Sequence, residues 1–240
     1  MNAMLPIAAG LAAAAATLLG GWLVARREWS RRVLAYFVAL GAGFMLAAVF
    51  LEILPEAIEK AGKLSWLLVL LGYLVVHFFE HTLAPHLHFG EETHAEEVAH
   101  HFAGPFAVLG LSIHALFDGV AIGSGFLVSS YLGGVIFLAV ILHKLPEGFT
   151  VASLLLASGQ SRRAALGGVA TLAGATLAGV ALMSLVPAQV GPALAFSGGV
   201  TLYVAATDLM PESNRDPHAR MALVVFAGVA LMAALRYLAR

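Results

Sequence analysis

The chain has 240 residues, 60% of them hydrophobic and only 11% charged, and its mean hydropathy is +0.90. Soluble domains carry about 25% charged residues, so this composition excludes an ordinary soluble domain and points to one all-α integral membrane domain over residues 1–240. A net charge of −1 offers no basic footprint for nucleic acid, and the absence of cysteine removes thiolate metal ligands and disulfides.

A membrane-spanning helix needs about 20 mostly apolar residues. In chain order, eight segments meet this: Leu5–Val24, Val33–Leu54, Leu64–Leu83, Gly104–Val128, Gly133–Ala157, Ala164–Val186, Pro192–Met210 and Met221–Leu238. The first could be mistaken for a secretory signal, but no basic segment precedes it and Ala-rich apolar sequence runs on to Val24, which favours a spanning helix. Most connections are short, so consecutive helices should run antiparallel.

Span two ends in FLEILPEA (50–57), which has a counterpart ATDLMPES (206–213) at the end of span seven. The alignment pairs Glu52 with Asp208, Pro55 with Pro211 and Glu56 with Glu212. With alternating directions, spans two and seven are inverted relative to one another, so spans one to three match spans six to eight around a central pair. This 3+2+3 inverted repeat is a frequent transporter design with substrate near the midplane. It puts Glu52 and Glu56 toward one mouth and Asp208 and Glu212 toward the other. There they attract and relay cations or, more plainly, sit as acids at helix ends.

After span three comes a His/Glu-rich loop over residues 84–103, preceded by His81. It holds His86, His88, His94, His100 and His101 among four glutamates, a composition that points to weak, low-affinity metal binding, with a solvated polar linker as the plainer alternative.

Spans four and five carry HALFDG (114–119) and HKLPEG (143–148). His114 and Asp118 are four residues apart, as are His143 and Glu147, so each pair shares one helix face. Both pairs fall near the bilayer midplane. A charge there costs at least about 2.5 kcal/mol, and one cation can offset two acids by turning them into ligands. Imidazole plus carboxylate suits zinc, iron or manganese better than calcium or magnesium. A structural polar network between helices is the competing reading. Pro146 frees the Leu142 carbonyl and should kink span five. Lys144 lies within pairing reach of Glu147 and supplies charge compensation inside the membrane. In span six, Ala170, Gly174 and Ala178 space a small-residue face suited to close helix packing.

Lysine and arginine in short loops set orientation. Arg26, Arg27, Arg31, Arg32, Arg162, Arg163, Arg215 and Arg220 lie on one side, against Lys60, Lys63, Arg236 and Arg240 on the other. The richer side should be cytoplasmic, which places both termini outside and the His-rich loop in the cytoplasm, in a bacterial inner membrane.

At its two central motifs the sequence resembles the ZIP family of divalent metal transporters, whose fourth and fifth spans carry motifs like H-N-x-P-E-G and H-x-x-P-E-G. The resemblance covers essentially the whole chain. It implies eight spans, outside termini, a His-containing cytoplasmic loop after span three, and a transport site made of His114, Asp118, His143 and Glu147. It implies a divalent metal, zinc foremost and iron, manganese or cadmium besides, as transported substrate moving toward the cytoplasm, with no cofactor. Partners would be the metal ion, the bilayer and a second copy in a homodimer. Several positions depart from the family. Ala115 stands where the family has Asn, Phe117 where it has Pro, Asp118 where it has Glu, and Lys144 where an acid is frequent; span six has no Glu. A second metal position therefore looks lost, and one metal at a time is expected. The chief alternative of another class is an intramembrane metallohydrolase with Glu147 as base. A metal-sensing module would be expected to carry a soluble output domain.

Overall fold

The computed structural model describes residues 4–26, 31–83, 103–211 and 219–238. His86, His88 and Glu212 lie outside the described residues. The described chain is helical, with no strand among its residues: α1 (Met4–Arg26), α2 (Arg31–Ala48), α3 (Leu54–Ala61), α4 (Leu64–Leu83), α5 (Ala103–Val128), α6 (Ser130–Ala157), α7 (Arg162–Leu185), α8 (Val190–Tyr203) and α9 (Ala219–Leu238). This is what lipid demands of a chain without a closed barrel, because each backbone polar group must find its partner within the helix. Among the described residues, seven helical stretches are long and apolar enough to cross a membrane, and Leu64–Phe79 is a shorter apolar helix. The protein is an all-α integral membrane protein.

Local sequence sets the helix ends. Ser129 and Ser161 cap α6 and α7 by accepting from the Leu132 and Ala164 amides at 3.0 and 3.2 Å. Gly62 and Gly159 close α3 and the α6 end at φ of 59° and 79°, a region only glycine enters freely.

Two helices contain a wider turn. Val49–Ile53 joins α2 to α3, and Val204–Leu209 continues α8, each as a π-helical segment. Glu52 lies in the first and Asp208 in the second, and Pro55 and Pro211 follow at the same offset. Such turns recur where a side chain has to be re-aimed for function.

Packing places α5 and α6 at the centre. They pack on each other; α5 also packs on α7 and α8, and α6 on α1 and α2. Outside them, α2 packs on α9 and α4 on α8. The glycine after each central acid makes the closest approaches. A Cβ on Gly119 would lie 2.0 Å from the Thr176 carbonyl oxygen of α7, and one on Gly148 would lie 1.9 Å from the Thr17 carbonyl oxygen of α1. Any side chain would push the central helices off their supports.

The predicted small-residue face of span six is a correction. Ala170, Gly174 and Ala178 are exposed, and a Cβ on Gly174 would meet nothing within 4 Å. The buried stripe of α7 runs instead through Val169, Leu172, Thr176, Gly179 and Met183. Small residues occur on several faces of this Ala/Gly-rich helix, so spacing alone does not say which one meets a neighbour. The outer surface is apolar, with Leu67, Leu70, Leu74, Leu223 and Phe226 exposed on α4 and α9, as expected of a face solvated by lipid.

Candidate metal site

His114 and Asp118 are one turn apart on α5, and His143, Lys144 and Glu147 lie within one turn and a little more on α6. All five side chains are buried, at 2% exposure or less. Asp118 is the hub. Its Oδ2 lies 3.1 Å from His114 Nε2, 3.2 Å from His143 Nε2 and 2.8 Å from Lys144 Nζ. The imidazole rings stand 5.6 Å apart between centroids, tilted by 41°.

One hydrogen bond aims His143. Its Nδ1 lies 3.0 Å from the Ala139 carbonyl oxygen. A carbonyl can only accept, so Nδ1 carries the proton and Nε2 faces Asp118. Backbone carbonyls commonly orient metal-bound imidazoles this way. A neutral ring then turns an Nε2 lone pair toward a carboxylate at 3.2 Å, which is favourable only with a proton or metal ion between them.

His114, Asp118 and His143 each offer one ligand atom, and these atoms lie within 4.8 Å of one another. Tetrahedral zinc with nitrogen and oxygen arms of about 2.0–2.1 Å has ligand–ligand edges of about 3.3 Å. The two edges that meet at Asp118 Oδ2 are close to that value.

Of the four predicted ligands, these three converge directly. Glu147 joins them through Lys144, whose Nζ donates to its Oε2 at 2.5 Å. Lys144 therefore bridges the acids of both helices. Asp118 Oδ1, Glu147 Oε1 and His114 Nδ1 are buried with no hydrogen-bond partner among the described residues, an uncommon condition that calls for an explanation.

The accessory acids are held differently. Glu52 Oε1 is 3.3 Å from Arg236 Nε of α9 and accepts from the Tyr131 hydroxyl at 3.3 Å. Glu56 pairs with Lys60 of its own helix at 3.1 Å. Asp208 is buried, with the Thr207 hydroxyl donating to its Oδ1 at 3.3 Å. The sequence names Arg236 only as an orienting charge and does not single out Tyr131. Asking what neutralises an acid at the end of a span is the signal that finds them. An apolar groove of about 730 Å³, lined by Leu5, Ile7, Leu11, Phe126 and Leu177 among others, contains none of these acids or histidines.

Comparison with known proteins agrees with these motifs. The model of the ZIP zinc transporter family matches residues 3–104 and 90–236. The chain is 30% identical over 246 residues to the zinc transporter ZupT of Salmonella heidelberg, covering 95% of each protein. It is 31% identical over 244 residues to the ZupT proteins of Salmonella newport and Salmonella typhimurium, covering 95% of this chain and 94% of each relative. These relatives are transporters and not enzymes. With its family model matched from one end of the chain nearly to the other, and its two central helices bearing the paired histidines and acids, this protein is a member of the ZIP zinc transporter family.

Proposed function

We propose that this protein moves zinc toward the cytoplasm across a bacterial inner membrane, one ion at a time, through the site between α5 and α6. The observation that carries this reading is the convergence of His114 Nε2, His143 Nε2 and Asp118 Oδ2 inside the membrane. The ligands would be these three and Glu147, which reaches the centre once Lys144 moves aside. Iron, manganese and cadmium suit the same donors; the ZupT relatives favour zinc.

Ala115 supports a single metal position. It is fully buried and packs among Val151, Ala152 and Leu172, so the place of the family's Asn is apolar here. Phe117, in place of the family's Pro, packs on Phe196 of α8 with ring centroids 4.7 Å apart. Lys144 offsets one of the two acid charges.

Eight spans in an inverted 3+2+3 order are the arrangement we favour, with both termini outside. Exchanging spans one to three with six to eight, and four with five, maps the packing of α5 on α7 onto that of α6 on α1, and α2 on α9 onto α8 on α4. The two π-helical turns map onto each other as well. Glycines follow suit: Gly43 and Gly228 lie against the Val225 and Leu40 carbonyls, as Gly199 and Gly72 lie against those of Val69 and Phe196. Glu52 and Asp208 are then the acids of the outer and inner approaches, with Glu56 and Glu212 beyond them and His86 and His88 as weak cytoplasmic contacts. A metallohydrolase would leave this symmetry without use.

Purified protein in sealed vesicles tests the proposal. Wild type should accumulate zinc, and Asp118→Ala, inserted at equal density, should lose nearly all uptake. Comparable uptake by the two proteins would rule out the site.

A further inference from the structure

Lys144 is fully buried, and its ammonium contacts Asp118 Oδ2 at 2.8 Å and Glu147 Oε2 at 2.5 Å. These are carboxylates that the proposed site would give to the metal. A lysine beside a metal would merely tune its charge; a lysine on the metal's own ligands has to compete with it. The same Asp118 oxygen cannot accept Lys144 and both imidazoles while also binding zinc, because all three nitrogens already crowd it within 3.2 Å.

We infer that Lys144 is a tethered stand-in for the transported ion: its ammonium holds Asp118 and Glu147 in the empty carrier, swings away when a divalent metal enters, and returns when the metal leaves. This rests on the site proposed above and goes beyond it by assigning the empty return step to a residue. Lysine suits the task, since it is a compact charge with three rotatable donors on a flexible four-carbon stem. Two acids in a buried site without a cation repel one another and have lost their water, so a carrier without a stand-in would return slowly. With it, the empty site keeps a net charge near −1, and metal binding exchanges one cation for another.

The cost of such a device is affinity. Only the fraction of molecules with Lys144 displaced can bind metal, and apparent affinity falls by that fraction. Removing the ammonium should therefore tighten binding while slowing net transport. Metal-for-metal exchange needs no empty return, so it should be spared relative to net uptake.

The test uses full-length protein and zinc alone. Calorimetric titration gives affinity. Vesicles without internal zinc give net uptake, and vesicles preloaded with zinc give exchange of a radioactive tracer. Lys144→Gln should bind zinc about tenfold tighter and lower the ratio of net uptake to exchange by about tenfold. Lys144→Arg, which keeps a cation, should move both readings back toward wild type. Unchanged affinity together with an unchanged ratio in Lys144→Gln would overturn the inference. If Lys144→Gln cannot be purified, wild type decides the matter: the inference requires net uptake and exchange within about threefold of each other, and exchange far exceeding net uptake overturns it. Asp118→Ala run in parallel separates the two failures. If it loses zinc binding while Lys144→Gln behaves as wild type, the site stands and the stand-in falls; if it binds zinc normally, the site itself is wrong.

Discussion

Two regions of this protein set acids against cations, and they do so in opposite ways. At one end of the second span, Glu52 lies against Arg236 and Tyr131. Arg236 Nη1 also donates to the Leu51 carbonyl at 2.5 Å. One arginine thus ties α9 to both a side chain and a backbone acceptor of the second span. Between α5 and α6, three nitrogens crowd a single oxygen of Asp118, while Asp118 Oδ1, Glu147 Oε1 and His114 Nδ1 have no partner among the described residues. The first arrangement is a brace whose groups satisfy one another. The second is over-supplied at one atom and under-supplied at its neighbours, the imbalance on which the proposed metal site rests. Satisfied polar groups stabilise; partly satisfied ones at membrane depth are kept for function.

This contrast can be broken experimentally. The largest effect is expected among the residues around Asp118. His114→Ala should weaken zinc binding by at least about 100-fold, since loss of even an outer-shell partner costs 10–100-fold, while thermal stability stays near that of wild type. A stable variant with unchanged affinity would mean that the midplane cluster is only another brace.

Arg236→Gln comes next and should act on stability alone. It leaves the part-exposed Leu51 carbonyl and Glu52 without their shared donor, a loss of about 1 kcal/mol, read as a lower melting temperature in detergent. Zinc affinity measured on the same sample should not move. A marked fall in affinity would show that Glu52 belongs to the binding machinery and that the two regions are not distinct.

Tyr131→Phe is the smallest. It removes one long, exposed hydrogen bond to Glu52, worth about 0.5 kcal/mol at the low end of the usual range, and should shift melting barely and transport not at all. Transport loss without destabilisation would recast Tyr131 as part of the outer approach.

Much of the site was legible because helical geometry is short-range. His114 with Asp118, and His143 with Glu147, share a face by spacing alone, and their depth follows from counting along an apolar run. Lys144 was legible as a charge needing a partner. Its second contact, to Asp118, was not, because that depends on how closely α5 and α6 approach, which in turn depends on Gly119 and Gly148 seating them against α7 and α1. Small residues at Ala170, Gly174 and Ala178 misled for the converse reason: a periodic face tells how near a neighbour could come, not whether one is there.

By itself the sequence determined that this chain is a bundle of apolar helices with two matched histidine–acid pairs at one depth, since hydropathy, length and the 3.6-residue period act within a single helix. Only the tertiary structure decided that Asp118 is the shared centre, that Lys144 stands between Asp118 and Glu147, and that Arg236 reaches Glu52 from the far end of the chain. The contacts of Asp118 with His143 and Lys144, and of Glu52 with Arg236, join residues on different helices. Which atoms meet there is set by the rotation and approach of whole helices, through backbone contacts at glycine and π-helical turns that no local pattern encodes.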